Sequence, residues 1–132
     1  MEYKRNRHAY YKLTYHLVVV TKYRHKCINE DMMGRLKVIS ADLFDRWDCE
    51  IIEINGETDH IHILFDAPPQ INLANTINSY KTVTSRYIRK EFADHLKNYY
   101  WKPVFWSRSY MVLSTGGATI DVIKRYIEQQ GE

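Results

Sequence analysis

The chain has 132 residues, of which 45% are apolar and 27% charged, as is typical of one globular domain. It contains five glycines and three prolines, which excludes collagen-like and low-complexity structures. No apolar run approaches the ~20 residues that span a bilayer, and the N-terminal residues lack the apolar segment of a secretory signal. Two cysteines do not make a disulfide framework, so we expect a reduced cytoplasmic protein with no membrane association.

The net charge of +3 conceals an uneven distribution along the chain. Residues 1–26 carry seven basic residues and one acidic residue, whereas residues 27–75 carry three basic and ten acidic residues. Residues 76–132 carry nine basic and five acidic residues, and eleven of the eighteen aromatic residues of the chain are tyrosines. Basic charge combined with aromatic side chains suits a surface that binds phosphates and stacks unpaired bases. A protein with ordinary charged, solvated faces can have the same composition. Composition alone therefore does not decide between a nucleic-acid-binding surface and a solvated one.

Hydrophobic periodicity predicts seven elements. In chain order they are a strand over 12–23, a helix over 31–48, strands over 49–55 and 60–66, a helix over 71–93, a strand over 103–114, and a helix over 119–130. The Val18-Val19-Val20 run indicates a first strand that is buried on both faces. The order β-α-β-β-α-β plus a terminal helix predicts an α+β, ferredoxin-like fold. Its antiparallel sheet would carry both long helices on one face and leave the other face for a ligand, a partner or the last helix.

The His60-Ile61-His62 motif is the first candidate site. Side chains alternate along a strand, so both imidazoles project from one face, with their Cα atoms ~6.7 Å apart. Two rings at that spacing can bind one cation, while Ile61 points into the core. A lone His-x-His also occurs as two half-exposed surface histidines, and that alternative stays open.

The last predicted helix holds a second pair, Tyr126 and Gln130, which are neighbours at i and i+4. A phenol can act as a nucleophile, and an amide oxygen can bind a hard cation. Chemistry alone does not distinguish Tyr126 from the other ten tyrosines. Gly116 and Gly117 precede the helix, either as a simple turn or as a hinge. There is no phosphate-binding Gly-rich loop, so nucleotide hydrolysis is disfavoured.

Basic and aromatic residues form a third set. It comprises Lys22-Tyr23-Arg24, Lys81, Arg86, Tyr99-Tyr100-Trp101-Lys102 and Trp106-Ser107-Arg108. Such residues suit nucleic-acid binding. However, aromatic residues also commonly lie in the core or at its edge, and basic residues are commonly solvated.

Several segments together resemble the small single-tyrosine HUH transposases, the TnpA type, of insertion sequences that move as single-stranded DNA. The similar segments are Tyr15-His16-Leu17-Val18, Thr21-Lys22-Tyr23-Arg24, Asp59-His60-Ile61-His62-Ile63-Leu64, Trp106-Ser107-Arg108-Ser109-Tyr110, Ser114-Thr115-Gly116-Gly117 and Lys124-Arg125-Tyr126-Ile127-Glu128-Gln129-Gln130. The resemblance covers nearly the whole chain, in order. One departure is Lys81-Thr82, where relatives often have Lys-Gly, and it touches a DNA-contacting segment.

The resemblance implies a metal-dependent, ATP-independent strand transferase. His60, His62 and Gln130 would hold a divalent metal, Mg or Mn, and Tyr126 would attack DNA and form a 5′-phosphotyrosine. Neutral ligands leave the metal its full charge, which stabilises the transition state. The substrate would be single-stranded DNA with subterminal hairpins. The residues expected at the DNA are Arg7, Lys22, Arg24, Lys81 and Arg86.

The same resemblance implies a homodimer in which one chain's tyrosine helix completes the partner's histidine pair. We expect one domain over 1–132, a hinge over 115–118 and the nucleophile helix over 119–132. Two alternatives stay open: a related HUH nickase (a repeat-associated transposase, relaxase or replication initiator), or a non-catalytic RRM-like nucleic-acid-binding module of the same fold.

Overall fold

A computed structural model describes Lys4–Arg5, Tyr10–Tyr11, residues 13–114 and residues 120–129, with side chains over 13–114 and 125–129. Four predicted site residues, Arg7, Gly116, Gly117 and Gln130, lie outside the described residues, as does the whole of the expected hinge over 115–118. The elements in chain order are β1 (Lys4–Arg5), β2 (Tyr10–Tyr11), β3 (Thr14–Val20), α1 (Glu30–Arg46), β4 (Glu50–Glu57), β5 (His60–Asp66), α2 (Leu73–Glu91), α3 (Ala93–Leu96), β6 (Met111–Ser114) and α4 (Ile120–Gln129).

A four-stranded antiparallel sheet forms the centre of the structure, with strand order β4-β5-β3-β6. Strands β3 and β4, joined through α1, lie on either side of β5, and this is the split arrangement that a β-α-β-β-α-β chain predicts. The predicted ferredoxin-like fold is therefore confirmed. Strands β1 and β2 pair separately as a short antiparallel ribbon.

The two faces of the sheet bury different clusters. Leu17 and Val19 of β3 join the main core beneath α1 and α2, whereas Val18 and Val20 pack on the opposite face against Ile127 of α4. All four of these β3 side chains are fully buried, so the predicted burial of the first strand on both faces is confirmed. Helix α4 thus covers part of the face that the two long helices leave open.

The long helices begin where the sequence supplies caps. The side chain of Asn29 accepts a hydrogen bond from the Met32 amide at the start of α1, and Asn72 caps α2 in the same way. Inside the core, Ser40 of α1 and Tyr80 of α2 share a buried hydrogen bond of 2.7 Å. These contacts fix the layer against which the sheet packs.

Two predicted strands are wrong in part. The strand expected over 12–23 ends at Val20, because Lys22–Arg24 form a 3-10 turn in which Tyr23 and Arg24 adopt positive φ. The strand expected over 103–114 contains a ladder only at Met111–Ser114. Before it, Trp106 makes an isolated bridge to Thr21, and its indole donates to the Thr84 hydroxyl in the core. The buried Trp106 side chain therefore anchors this segment, and the ladder expected over its whole length does not form.

The remaining elements match the prediction to within a few residues. The strand over 60–66 has the predicted bounds, and the strand expected over 49–55 runs from Glu50 to Glu57. Helix α1 ends at Arg46, since Asp48 adopts a positive φ of 57° that a helix does not contain. The helix expected over 71–93 is α2 followed by the short α3.

Candidate active site

Three histidines line one groove on the α4 side of the sheet. His60 and His62 of β5 lie opposite Val20 and Val18 of β3, so they share the face that α4 partly covers. His16 of β3 lies on the same face, two residues before Val18. The groove has a volume of about 750 Å³, and Ile127 and Glu128 of α4 also line it. The helix that carries Tyr126 therefore forms part of the wall of the histidine groove.

The predicted His60 and His62 pair is brought together by strand geometry. Their ring centroids lie 6.4 Å apart and their planes are tilted by 28°, so the rings stand side by side. Ile61 and Ile63 point into the core on the opposite face, as predicted from strand alternation.

A buried carboxylate orients His60. The Asp59 carboxylate pairs with Nδ1 of His60 at 2.9 Å through one oxygen, and accepts a hydrogen bond from Nε of Arg24 at 2.8 Å through the other. Burial opposes ionisation of Asp59, but the bonds from Arg24 and His60 outweigh it and lower the pKa of the carboxyl. A carboxylate that holds Nδ1 leaves Nε2 of the imidazole as the basic nitrogen, which is the usual arrangement behind a metal-binding histidine.

The electrostatics of the groove favour the neutral form of His62, because they lower its pKa. Burial lowers the pKa of His62, and the neighbouring His60 and His16 lower it further against the opposing effect of Glu53. His16 has a buried Nδ1 without a hydrogen-bond partner among the described residues. Neutral imidazoles are the protonation state that binds a metal.

The donor set fits a divalent cation. Ligand atoms of Glu57, Asp59 and His60 lie within 4.8 Å of one another, and no other such group of His, Cys, Asp or Glu occurs in the described part of the chain. Because both oxygens of Asp59 are already engaged, we assign it to orienting His60 rather than to binding the metal. Imidazole nitrogen and carboxylate oxygen suit Mg²⁺, Mn²⁺ and other first-row divalent ions.

Tyr126 lies on the same face of the sheet but is directed elsewhere. It is half-buried beside Val18 and Val20, and its hydroxyl lies 3.5 Å from the Ser109 hydroxyl, on the β6 side of β3. Burial raises the pKa of Tyr126, and the contact with Ser109 offsets only part of this effect. Within the described ranges, no hydrogen bond or ring contact joins Tyr126 to His60 or His62.

The predicted DNA-binding cations have different environments. Arg24 is held by Asp59 and also approaches the backbone carbonyl of Glu128 at 3.5 Å, so it links the groove to α4. The Lys81 ammonium donates to the carbonyl of Arg108, and burial lowers the pKa of Lys81. Lys22 lies 5.2 Å from the ring centroid of Tyr23, and Arg86 is exposed on α2.

Sequence reasoning did not assign roles to His16, Asp59 or Ser109. Strand alternation does signal His16, since it shares a face with Val18 and Val20. Asp59 has a weaker signal, a carboxylate next to a histidine at a turn. Ser109 has none, because its contact with Tyr126 joins residues that are far apart in the sequence.

Comparison with known proteins identifies the family. The profile of the family described as "Transposase IS200 like" matches residues 9–130. The chain belongs to the IS200-like transposase family. The transposase is 31% identical to the ISDra2 transposase TnpA of Deinococcus radiodurans over 130 residues, which cover 98% of this chain and 92% of that protein. It is 30% identical to the transposase for insertion sequence element IS200 of Salmonella typhimurium over 125 residues, 95% of this chain and 81% of that protein.

Solved structures support the same conclusion. A putative transposase from Deinococcus radiodurans superposes on this one with a TM-score of 0.87 and 33% identity, over 96% of this chain and 97% of that one. A REP-associated tyrosine transposase bound to a REP hairpin has a TM-score of 0.57 and 14% identity, over 95% and 68% of the two chains, and it shares the fold.

Membership of this family makes the protein a DNA transposase, and so a DNA-processing enzyme. The family also suggests a divalent metal, for which the groove has suitable ligands. No helix among the described residues is both long and apolar enough to cross a bilayer.

Proposed function

We propose that this transposase cleaves and rejoins single-stranded DNA at the ends of an insertion sequence, through a 5′-phosphotyrosine formed on Tyr126. The observation that carries the proposal is the groove, in which the His60–His62 pair faces α4, the helix of Tyr126. His60 and His62 would hold a divalent cation, Mg²⁺ or Mn²⁺, with Gln130 as a further ligand. When bound, the cation would polarise the scissile phosphate and offset charge in the transition state, an effect of several kcal/mol.

The chemical step exchanges one phosphate ester for another. The phenolic oxygen of Tyr126 bonds to phosphorus, the bond to the 3′ oxygen breaks, and that oxygen takes up a proton to become a free 3′-OH. Attack by a 3′-OH on the phosphotyrosine reverses the exchange and rejoins a strand, so ATP is not needed. Burial raises the pKa of Tyr126, and the phenol must therefore lose its proton to a base as it attacks.

The chain's own residues have separate tasks in this scheme. Asp59 holds Nδ1 of His60, which would leave Nε2 to bind the cation, and Arg24 fixes Asp59 by occupying its second oxygen. Arg24 and Lys26 both line the groove and supply positive charge towards a DNA backbone. The Tyr126 hydroxyl lies next to the Ser109 hydroxyl and, among the described residues, makes no hydrogen bond with His60 or His62 of its own chain.

We further propose that the working unit is a homodimer whose sites are shared. The support is the placement of the Tyr126 hydroxyl on the β6 side of β3, whereas the histidines stand on β5. A tyrosine helix supplied by a second chain would complete each groove. The proposed substrate carries subterminal hairpins, and the REP-associated tyrosine transposase of the same fold is described as bound to a REP hairpin.

A covalent adduct is the decisive test. Single-stranded oligonucleotides from the DNA that flanks the gene are incubated with protein and Mn²⁺, and the products are separated on a denaturing gel. We expect a protein–DNA adduct that disappears in Tyr126→Phe and on chelation of the metal. Tyr87→Phe, which alters an exposed tyrosine of α2, serves as the matched control and retains the adduct.

The same experiment separates the alternatives. A protein that binds these oligonucleotides without ever forming an adduct would be a non-catalytic nucleic-acid-binding module. An adduct that survives Tyr126→Phe would move the nucleophile to another residue and overturn the assignment.

A further inference from the structure

A second concave site lies beside the histidine groove. It has a volume of about 270 Å³ and is lined mainly by Tyr23, His25, Tyr99, Tyr100, Trp101 and Lys102; we call it the aromatic pocket. The side chains at its rim are unusually exposed: Trp101 is 95% exposed, Tyr23 55% and Tyr99 37%. Large aromatic surfaces left in water at one place commonly mark a binding site.

The floor of the aromatic pocket is preorganised by ring contacts. The imidazole of His25 lies in the middle, with its centroid 5.8 Å from that of Tyr23, 6.1 Å from that of Tyr99 and 5.2 Å from that of Tyr100. The Tyr100 hydroxyl donates to the Lys22 carbonyl at 2.6 Å, which ties the floor to the 3-10 turn. A rigid aromatic floor loses little freedom when a flat ligand stacks on it.

The backbone at the rim adopts a rare conformation. Tyr23 and Arg24 have φ of 58° and 55°, a left-handed region that residues with a β-carbon seldom occupy. The turn is fixed by Lys22, whose amide donates to the Phe105 carbonyl at 2.8 Å. Strained backbone of this kind is often found at ligand sites, and here it presents the Tyr23 ring to solvent.

The surroundings of the aromatic pocket are basic. The Lys22 ammonium lies 5.2 Å from the Tyr23 ring, and Lys102 lies on the rim. An adjoining cavity of about 230 Å³ shares Trp101 and Lys102 and adds Arg89 and Lys97, the latter 3.8 Å from Asp94. None of the described residues that line either cavity is acidic. Aromatic faces among cations are the combination that binds unpaired nucleotides.

The turn also joins the aromatic pocket to the histidine groove. Tyr23 and His25 line the pocket, whereas Arg24 and Lys26 line the groove. Consecutive Cα atoms are ~3.8 Å apart, so the two sites are separated by the thickness of one backbone segment. A strand whose phosphates follow the groove can therefore place a neighbouring base in the pocket.

We propose that the aromatic pocket binds an unpaired nucleobase of the single-stranded DNA whose backbone enters the histidine groove, by stacking on Trp101 and Tyr23. The identity of the strand rests on the proposed function, but the stacking does not require cleavage. Duplex DNA offers no free base face, so the pocket selects single strands. Stacking is tolerant of base identity, and the pocket therefore positions the strand without reading its sequence.

Trp101 provides a direct probe. The protein is titrated with (dT)15, with a 15-residue abasic oligomer and with a (dT)15–(dA)15 duplex, while tryptophan fluorescence and affinity are recorded. We expect (dT)15 to quench the fluorescence, and neither the abasic oligomer nor the duplex to do so. Trp101→Leu removes the ring and is expected to weaken (dT)15 binding roughly 5- to 150-fold. Trp101→Phe keeps an aromatic face and restores most of the affinity.

The controls separate stacking from other causes. Tyr87→Ala removes an exposed aromatic residue of α2 and should leave (dT)15 binding unchanged. Because Trp101 is almost fully exposed, its substitutions should leave the melting temperature unchanged. Equal affinity of Trp101→Leu and wild type for (dT)15, or an equal loss on the abasic oligomer, would overturn the proposal. A change of oligomeric state without a change of DNA affinity would assign the pocket to a contact between copies of the chain and also overturn it.

The result of the (dT)15 binding test does not depend on the result of the adduct test for Tyr126. Quenching by (dT)15 in a protein that forms no Tyr126 adduct would support the pocket while the proposed function fails. If the adduct forms and Trp101→Leu binds (dT)15 as tightly as wild type, the proposed function is supported and the stacking proposal is overturned.

Discussion

Asp59 illustrates how one side chain can organise a site. In a regular strand Asp59 and His60 would point to opposite faces, but Asp59 lies in the turn before β5, and its carboxylate returns to the imidazole. Arg24 closes the arrangement from the 3-10 turn and reaches α4 through the Glu128 carbonyl. The orientation of one metal-binding candidate thus depends on a partly buried pair of charges.

We expect Asp59→Asn to lower Mn²⁺ affinity and adduct formation by about 10- to 100-fold, the usual effect of losing the partner that orients a metal-binding histidine. An amide oxygen cannot replace both carboxylate oxygens for Arg24 and His60. Calorimetric titration with Mn²⁺ measures the first effect, and the gel assay measures the second.

The matched control is Asp42→Asn. It also removes an Asp–Arg pair, the exposed one with Arg46 on α1, and neither residue lines the histidine groove. Asp42→Asn should change neither the Mn²⁺ affinity nor the amount of adduct. Wild-type Mn²⁺ affinity in Asp59→Asn would show that the carboxylate does not orient a ligand.

The β4–β5 hairpin is the element that carries the histidine pair, and its register depends on Gly56. A β-carbon at Gly56 would lie 2.2 Å from the His60 carbonyl oxygen and 2.9 Å from the Ile61 Cα. Both are backbone atoms, so they cannot move aside without shifting β5. Gly34 of α1 differs, since a β-carbon there meets nothing within 4 Å.

Gly56→Ala should therefore destabilise the protein by about 1–3 kcal/mol or more, and it should reduce adduct formation because His60 shifts. Gly34→Ala should stabilise it by about 0.5–1 kcal/mol, since alanine restricts the unfolded chain and favours a helix interior. Urea unfolding of the two variants measures both changes. A Gly56→Ala protein as stable as wild type would contradict the close approach of β4 and β5 at this position.

Elements with a strong local pattern were predictable, and those fixed by distant contacts were not. The His60–Asp66 strand and the capped helices follow from alternation, periodicity and Asn caps. The turn at Lys22–Arg24 did not follow, because Tyr23 favours strands, whereas the turn is held by hydrogen bonds of the Lys22 backbone with Phe105 and Tyr100. The prediction of a strand before β6 was wrong for the same reason, since the segment is held by a hydrogen bond from Trp106 to Thr84 of α2.

For the molecule as a whole, the two faces of the sheet bury clusters of different size among the described side chains. Helices α1 and α2 bury a large core, whereas the described side chains of α4 contribute Ile127 and Tyr126 to a small cluster with Val18 and Val20. A terminal helix that packs through an apolar face can dock on its own chain or on the same surface of a second copy. This is the property that a shared active site requires.

Mixing Tyr126→Phe chains with His62→Ala chains tests the shared site. If sites are shared, the mixture should recover roughly a quarter of the wild-type adduct, since half of randomly assorted dimers are mixed and each has one intact site. The denaturing gel measures the recovery. Mixing His62→Ala with His60→Ala is the control and should recover nothing, because both defects affect the same histidine pair. No recovery in the first mixture would place Tyr126 and the histidines of one site on the same chain.

The sequence by itself determined the order of elements, the ferredoxin-like fold and the two histidines on one face, because alternation and periodicity are local properties of the chain. Segment resemblance added the family, which the comparisons confirm. Only the tertiary structure decided that Asp59 and Arg24 support His60, that His16 joins the groove, and that Tyr126 contacts Ser109. These contacts join residues far apart in the chain or across a turn, and their geometry exists only once the strands and α4 have packed.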